Sequence, residues 1–93
     1  MQLKIFSIRD SKAETFNSPF YQPTHGEAER TFRTTVLDPK TVINQYPEDF
    51  DLWYLGEYNS NDGKITPLDT PQHMLKAVAC MKPQNPQIAS EDC

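Results

Sequence analysis

Alternating apolar and polar positions predict a β-hairpin within residues 46–68. Two β-prone runs flank the polar turn 60–63, whose Asp62-Gly63 pair supplies the positive φ that a tight reversal needs. Pro67 in the second run cannot donate a backbone hydrogen bond, so that strand is predicted to lie at a sheet edge. Regular alternation in the first run would separate two sets of side chains, Leu52, Tyr54, Gly56 and Tyr58 on one face and Trp53, Leu55 and Glu57 on the other.

A further strand pattern opens the chain at residues 2–9. Apolar residues occur on both of its faces, which favours a strand inside the sheet over one at its edge. Residues 12–16 either continue this strand or fold back. Pro19 and Pro23 exclude a helix from residues 17–23, so an irregular loop is expected there.

The main helix is predicted to begin after Thr24 and to end at Asp38-Pro39. Thr24 and Glu27 have the spacing of a capping box, in which the threonine oxygen accepts from the amide three residues on. Four side chains recur at helical spacing and would form one core-facing stripe: Ala28, Phe32, Thr35 and Val36. This helix would cover one face of the sheet.

A short second helix is predicted after Leu68, with Pro71 at its first position. Its apolar side would carry Met74, Leu75 and Val78, and Lys82-Pro83 would end it.

The resulting order is β-α-β-β followed by a short C-terminal helix. The expected fold class is therefore α+β, with a three-stranded, mainly antiparallel sheet packed by one main helix. Residues 1–80 would form a single domain. Residues 81–93, which are polar and contain two prolines, would form a flexible C-terminal tail.

The net charge of −4 is unevenly distributed. Residues 1–46 hold six Lys and Arg against five acidic residues, and residues 47–93 hold three against eight, so the two halves carry +1 and −5. An acidic chain does not coat nucleic acid by charge alone, because non-specific binding draws its energy from neutralising phosphates. The sequence is still compatible with a local basic face on the first half of the chain.

The cysteine, histidine and acidic residues of this sequence do not have the spacing of a known catalytic or metal-binding motif. Cys80 and Cys93 lie late in the chain and are expected to be reduced thiols, without the Cys and His spacing of a zinc site. His25 and His73 are interpreted as polar surface residues, and the acidic residues at 48–51 lack the spacing of an EF-hand loop. We therefore expect a binding protein and not an enzyme, with no metal site and no cofactor.

Several segments, taken together, resemble one family. They are KIFSIRDSKAETFNSPF at 4–20, His25-Gly26 and Arg30-Thr31-Phe32 at the start of the helix, YPEDFDLWYLGEY at 46–58 and GKITPL at 63–68. Their order and spacing resemble the small non-structural protein of gokushovirus-type microviruses, which are bacteriophages with circular single-stranded DNA genomes. The resemblance covers about residues 3–71.

The resemblance implies a non-structural phage protein that is described as DNA-binding and is not a capsid component. Such a protein would act when the phage switches from duplex replication to single-strand synthesis and packaging. The family supplies no catalytic or binding residues to transfer to this chain.

Two functions of different classes follow. The first is a single-stranded DNA-binding accessory factor of viral DNA replication or packaging, with guanidinium groups on phosphates and rings on bases. Alternatives stay open for parts of its site, because the rings at 16–21 could cap the core and the helix arginines could form a solvated face. The predicted site comprises Arg9, Lys12, Phe20, Tyr21, Arg30 and Arg33.

The second function is a protein–protein adaptor, either monomeric or a homodimer, that modulates a phage or host replication enzyme. It would use the acidic hairpin with Trp53, Tyr54 and Tyr58, or an open sheet edge. No segment has the roughly 20 apolar residues that span a bilayer. We therefore expect no membrane partner and a location in the host cytoplasm.

Overall fold

A computed structural model describes residues 1–81. The predicted tail lies outside these residues apart from Met81. No helix among residues 1–81 is long and apolar enough to cross a membrane. The strands are β1 (Gln2–Asp10), β2 (Thr15–Phe16), β3 (Phe20–Gln22), β4 (Phe50–Asn59) and β5 (Lys64–Lys76). The helices are α1 (His25–Leu37), α2 (Val42–Gln45), a 3₁₀ helix (Pro47–Asp49) and α3 (Ala77–Cys80).

All five strands join one antiparallel sheet that curls into a half-barrel. The order is β2-β1-β4-β5, and β3 also pairs with β1. The short strands β2 and β3 share one edge of β1, with Phe16 opposite Arg9 and Tyr21 opposite Ile5. The expected α+β fold with a three-stranded sheet on one main helix is therefore wrong, because the protein is mostly β.

Two segments account for the error in the strand count. The segment expected to form a second helix is extended instead, because β5 continues through Lys76 and pairs with β4 within residues 64–67 and again within residues 72–76. Only the four residues of α3 are helical there. The segment expected to be an irregular loop contains β3. In both places backbone pairing with a long neighbouring strand outweighs the local signal from proline, because the intrinsic preference of residues for one secondary structure is weak.

A β-bulge at Leu55 changes which side chains of β4 share a face. Phe6 lies opposite Tyr54, but the next pair is Ile5 opposite Gly56, so Leu55 has no partner on β1. A bulge inserts one residue into the alternation. Beyond it, Gly56 and Tyr58 lie on the same face as Trp53, and Glu57 lies on the face of Tyr54. The predicted grouping of these side chains is therefore wrong after residue 55.

Helix α1 covers the face of the sheet that bears Phe6 and Leu52. Its start is confirmed, because the Thr24 Oγ1 atom accepts from the Glu27 amide at 3.1 Å. Three residues of its predicted stripe are fully buried, whereas Thr35 is half-buried. The hydrophobic core comprises Phe6, Ala28, Phe32, Val36, Ile43, Phe50, Leu52, Tyr54, Ala77 and Cys80.

The predicted hairpin turn is also confirmed. Gly63 has a φ of 75°, and the Asp62 carboxylate accepts from the Lys64 amide at 2.9 Å. Within residues 1–81, β5 pairs with β4 alone, which agrees with the edge position expected from Pro67. The long hairpin therefore forms one side of the molecule and ends the sheet.

Ser7 connects β1 to the break between β2 and β3. Its side chain is fully buried, and its Oγ atom donates to the Asn17 carbonyl at 2.6 Å. We expect Ser7→Ala to lower the free energy of unfolding by about 1–2 kcal/mol, because the hydrogen bond is lost and nothing replaces it. Urea unfolding measures this, with Thr34→Ala as the control, since the exposed Thr34 hydroxyl only bonds back to its own helix. Equal effects of the two changes would contradict the assigned role of Ser7.

Candidate nucleic-acid interface

The face of the sheet opposite α1, which we call the outer face, carries most of the exposed aromatic side chains of the strands. Strand register assigns its members, because side chains of directly paired residues lie on the same face. They are Leu3, Ile5, Ser7 and Arg9 of β1, Phe16 of β2, Tyr21 of β3, Asp51, Trp53 and Tyr58 of β4, and Ile65, Pro67, His73 and Lys76 of β5.

Trp53 lies at the centre of one ring cluster on this face. The Phe16 ring is 5.8 Å from it at an interplanar angle of 76°, and the His73 ring is 5.2 Å away at 87°. Both pairs are T-shaped, so neither neighbour stacks parallel to the indole. Trp53 itself is half-buried and also lines a groove on this face.

A second ring pair lies on the half of the outer face beyond the bulge. Tyr21 and Tyr58 meet at 5.5 Å with an interplanar angle of 63°. Tyr21 is 43% exposed and Phe16 is 38% exposed, so these rings are available to solvent. The bulge at Leu55 is what places Tyr58 beside Tyr21 on this face. The two ring clusters together give the outer face two separate aromatic platforms.

Charged groups surround Trp53 at the end of the outer face near Phe16. The Arg9 guanidinium carbon lies 5.8 Å from the centre of the Phe16 ring, within reach of a cation–π interaction. The His73 Nε2 and Asp51 Oδ2 atoms are 2.7 Å apart. A groove of about 180 Å³ lies at this end of the outer face. It is lined by Arg9, Ser11, Glu48, Asp49, Asp51, Trp53 and Lys76.

The indole nitrogen of Trp53 is buried and has no hydrogen-bond partner among residues 1–81. An unsatisfied buried donor normally costs about 1–3 kcal/mol. A phenylalanine at this position would avoid that cost while filling much of the same space. Tryptophan offers a larger π surface, which is the property that matters for stacking.

The opposite face of the sheet holds a polar contact next to the core. The Tyr54 hydroxyl donates to the Glu57 carboxylate at 3.4 Å, and Lys4 lies 3.8 Å from the same carboxylate. Burial and the neighbouring Glu57 carboxylate raise the pKa of Tyr54 above its ordinary value, so its hydroxyl remains a donor at neutral pH. His25 packs against Phe6 and Tyr54 at ring distances of 5.6 and 4.6 Å, so it helps to fill the core and is not a simple surface residue.

The residues predicted to bind nucleic acid do not form one surface. Arg9 and Tyr21 lie on the outer face, but Phe20 packs against Phe6 on the core side at 5.8 Å. Arg30 and Arg33 belong to α1, which covers the opposite face, and Arg33 pairs with Glu29 at 3.9 Å.

The sixth predicted residue, Lys12, follows β1. It borders a different groove of about 430 Å³, whose other lining residues are Asp10, Val42, Tyr46, Glu48, Asp49 and Phe50. This groove and the one beside Trp53 share Glu48 and Asp49, so the 3₁₀ helix separates the two.

Sequence reasoning did not group Trp53, Tyr58, His73 and Lys76 with Arg9 and Tyr21, although the structure places all six on the outer face. Trp53 was visible in the alternating pattern of β4, where it falls on the face away from Leu52. Tyr58 requires the bulge, and the position of His73 requires that β5 extend past residue 68, and neither feature has a clear local signal. Within residues 1–81 no group of three His, Cys, Asp or Glu side chains converges as metal ligands do.

Comparison with known proteins identifies relatives of this chain. Residues 3–80 match the family model described as "Phage ORF5 protein". Protein ORF5 of Chlamydia phage 1 is 36% identical over 74 residues, which is 74% of this chain and 76% of that protein. No solved structure matches. The match supports the microvirus-type phage protein that the sequence resemblance implied. The chain belongs to the Phage ORF5 protein family.

Proposed function

We propose that this phage protein is an accessory factor that binds single-stranded DNA through its outer face during viral DNA replication or packaging in the host cytoplasm. The observation that supports the proposal is the presence of two ring platforms, Trp53 with Phe16 and Tyr21 with Tyr58, on one face together with the cations Arg9 and Lys76. Proteins that hold single strands combine stacking rings with basic groups along the backbone.

The acidic charge of the chain fits this mode better than it fits duplex binding. A net charge of −4 gives little general attraction to phosphates, so affinity must come mainly from contacts to bases. Stacking contributes about 1–3 kcal/mol per base, and only unpaired bases expose their π faces to a protein ring. We therefore expect single strands to bind more tightly than duplexes of the same sequence.

Paired charge-removing variants test the proposal. We expect Arg9→Ala with Lys76→Ala to weaken binding of a fluorescein-labelled thymidine oligomer about tenfold or more at low salt. The dependence of log K on log salt should become shallower by about 1.4, because each lost phosphate contact on a single strand removes about 0.7. The control is Arg30→Ala with Lys40→Ala, which removes the same charge from exposed positions outside the sheet and should leave the affinity nearly unchanged.

Trp53 also provides a direct reporter, because it is the single tryptophan of the chain. Stacking of a base on the indole should quench its fluorescence as the oligomer is added, with a midpoint equal to that found by anisotropy. Absence of binding at low ionic strength, or equal losses in the two charge variants, would contradict the proposal.

A protein-binding adaptor is the second candidate, and one observation favours it. Val42 and Tyr46 are 59% and 52% exposed and line the larger groove, which is apolar enough to accept a side chain from a phage or host replication protein. Homodimer formation through the free edge of β5 is less favoured, because Pro67 and Pro71 cannot donate to an added strand. Failure of every oligomer to bind in the titrations above would leave the adaptor as the better candidate.

A further inference from the structure

We propose that the groove beside Trp53 is a subsite for one unpaired guanine, so that the protein prefers guanine over thymine at one position of a bound strand. This inference rests on the proposed single-strand binding and adds base preference to it. It concerns the groove lined by Arg9, Ser11, Glu48, Asp49, Asp51, Trp53 and Lys76.

The dimensions of the groove fit a single base. Its volume of about 180 Å³ is large enough for one flat heterocycle. The indole of Trp53 contributes one side, and no ring of residues 1–81 stacks parallel on it. A base that enters the groove can therefore stack on Trp53 while its edge meets the other lining residues.

Four of the charged groups that line the groove have no charged partner. Within residues 1–81, the side chains of Arg9, Lys76, Glu48 and Asp49 form neither an ion pair nor a hydrogen bond, whereas Asp51 is held by His73. Asp49 is anchored through its backbone, because its carbonyl accepts from the Ser11 amide at 2.9 Å and from the Ser11 hydroxyl at 3.1 Å.

The groove thus offers two cations and two available carboxylates to the same occupant. A ligand that satisfies both must carry negative charge and hydrogen-bond donors. A nucleotide with donors on its base meets this requirement, because its phosphate suits Arg9 and Lys76 and its base edge suits Glu48 and Asp49. Simple anions would be repelled by the carboxylates, and simple cations by the basic groups.

Carboxylate chemistry selects among the four bases. An ionised carboxylate only accepts hydrogen bonds. Guanine presents adjacent N1–H and N2–H₂ donors on its Watson–Crick edge, so one carboxylate can accept from both. Cytosine and adenine present one amino group each. Thymine presents a single N–H between two carbonyl oxygens, which a carboxylate repels. The expected order is guanine first, then cytosine and adenine, then thymine.

The test uses thymidine oligomers that are identical except for one central base. We expect the oligomer with a single guanine to bind about tenfold more tightly than the all-thymine oligomer, and cytosine or adenine to give intermediate affinities. The protein with Glu48→Gln and Asp49→Asn should lose this preference, so that the ratio of the two affinities falls towards one. Glu27→Gln with Glu29→Gln on α1 removes the same two charges away from the groove and should keep the full ratio.

The ratio of affinities is the informative quantity, because removal of two negative charges raises the affinity for every strand. Equal binding of guanine and thymine oligomers by the unmodified protein would overturn the guanine subsite but leave the proposed function intact. A preference that survives in the Glu48→Gln, Asp49→Asn protein would overturn the assignment to this groove. Absence of binding to every oligomer would overturn the proposed function, and the subsite with it.

Discussion

Replacing Phe32 with alanine should lower the free energy of unfolding by about 3–5 kcal/mol. Phe32 is fully buried in the middle of α1 and is among the largest fully buried side chains. Its removal takes apolar surface out of the core and leaves a cavity between the helix and the sheet, which the closely packed interior cannot fill. A domain of this size has a total stability of about 5–15 kcal/mol, so a substantial share would be lost.

Urea unfolding followed by circular dichroism measures the change, and Leu37→Ala serves as the control. Leu37 ends the same helix but is 54% exposed, so its loss should cost much less. The two variants remove large side chains from one element and differ mainly in burial. A Phe32→Ala protein as stable as Leu37→Ala would mean that α1 does not pack on the sheet as described.

Gly56→Ala should destabilise the protein by about 3 kcal/mol or more. Gly56 lies just after the bulge with a φ of 157°, and an added Cβ atom would stand 2.5 Å from the Thr66 carbonyl oxygen and 2.7 Å from the Pro67 Cα atom. Both obstacles belong to the backbone of β5 and cannot rotate away. Strained dihedrals and forced contacts each cost about 1–3 kcal/mol, and the two strands would have to separate at this point.

The other two glycines of the chain provide matched controls. Gly63 has a φ of 75° but open space around it, so Gly63→Ala should show the cost of strain alone, about 1 kcal/mol. Gly26 lies in α1 with its nearest atom at 4.0 Å, so Gly26→Ala should stabilise the helix by about 0.5–1 kcal/mol. Thermal unfolding of the three variants should follow the order 26, 63, 56 from most to least stable. Any other order would contradict the close approach of β4 and β5.

Elements with strong local signals were predictable from the sequence. The capping pair Thr24 and Glu27 and the spacing of Ala28, Phe32 and Val36 located α1 and its buried side. The Asp62-Gly63 turn located the hairpin. In each case the interaction that determines the structure lies within a few residues of the signal, so the sequence contains it without reference to the rest of the fold.

Elements that depend on distant pairing were not predictable in the same way. The helical interpretation of residues 71–81 followed from Pro71 and from the spacing of Met74, Leu75 and Val78, whereas the actual strand depends on a partner about 20 residues away in β4. On the outer face, the position of Arg9 was predictable because it continues an obvious strand. His73 and Lys76 were not, since their place on the outer face exists only if β5 is long.

The bulge at Leu55 makes the face assignment of the hairpin sensitive to a single-residue deletion. Loss of that one codon would restore uninterrupted pleating in β4 and turn the distal half of the hairpin over by one side-chain step. Tyr58 would then project towards the face that α1 covers, and Glu57 would project from the outer face. A single in-frame deletion would in this way exchange an aromatic side chain for an acidic one on the outer face without a substitution at either residue.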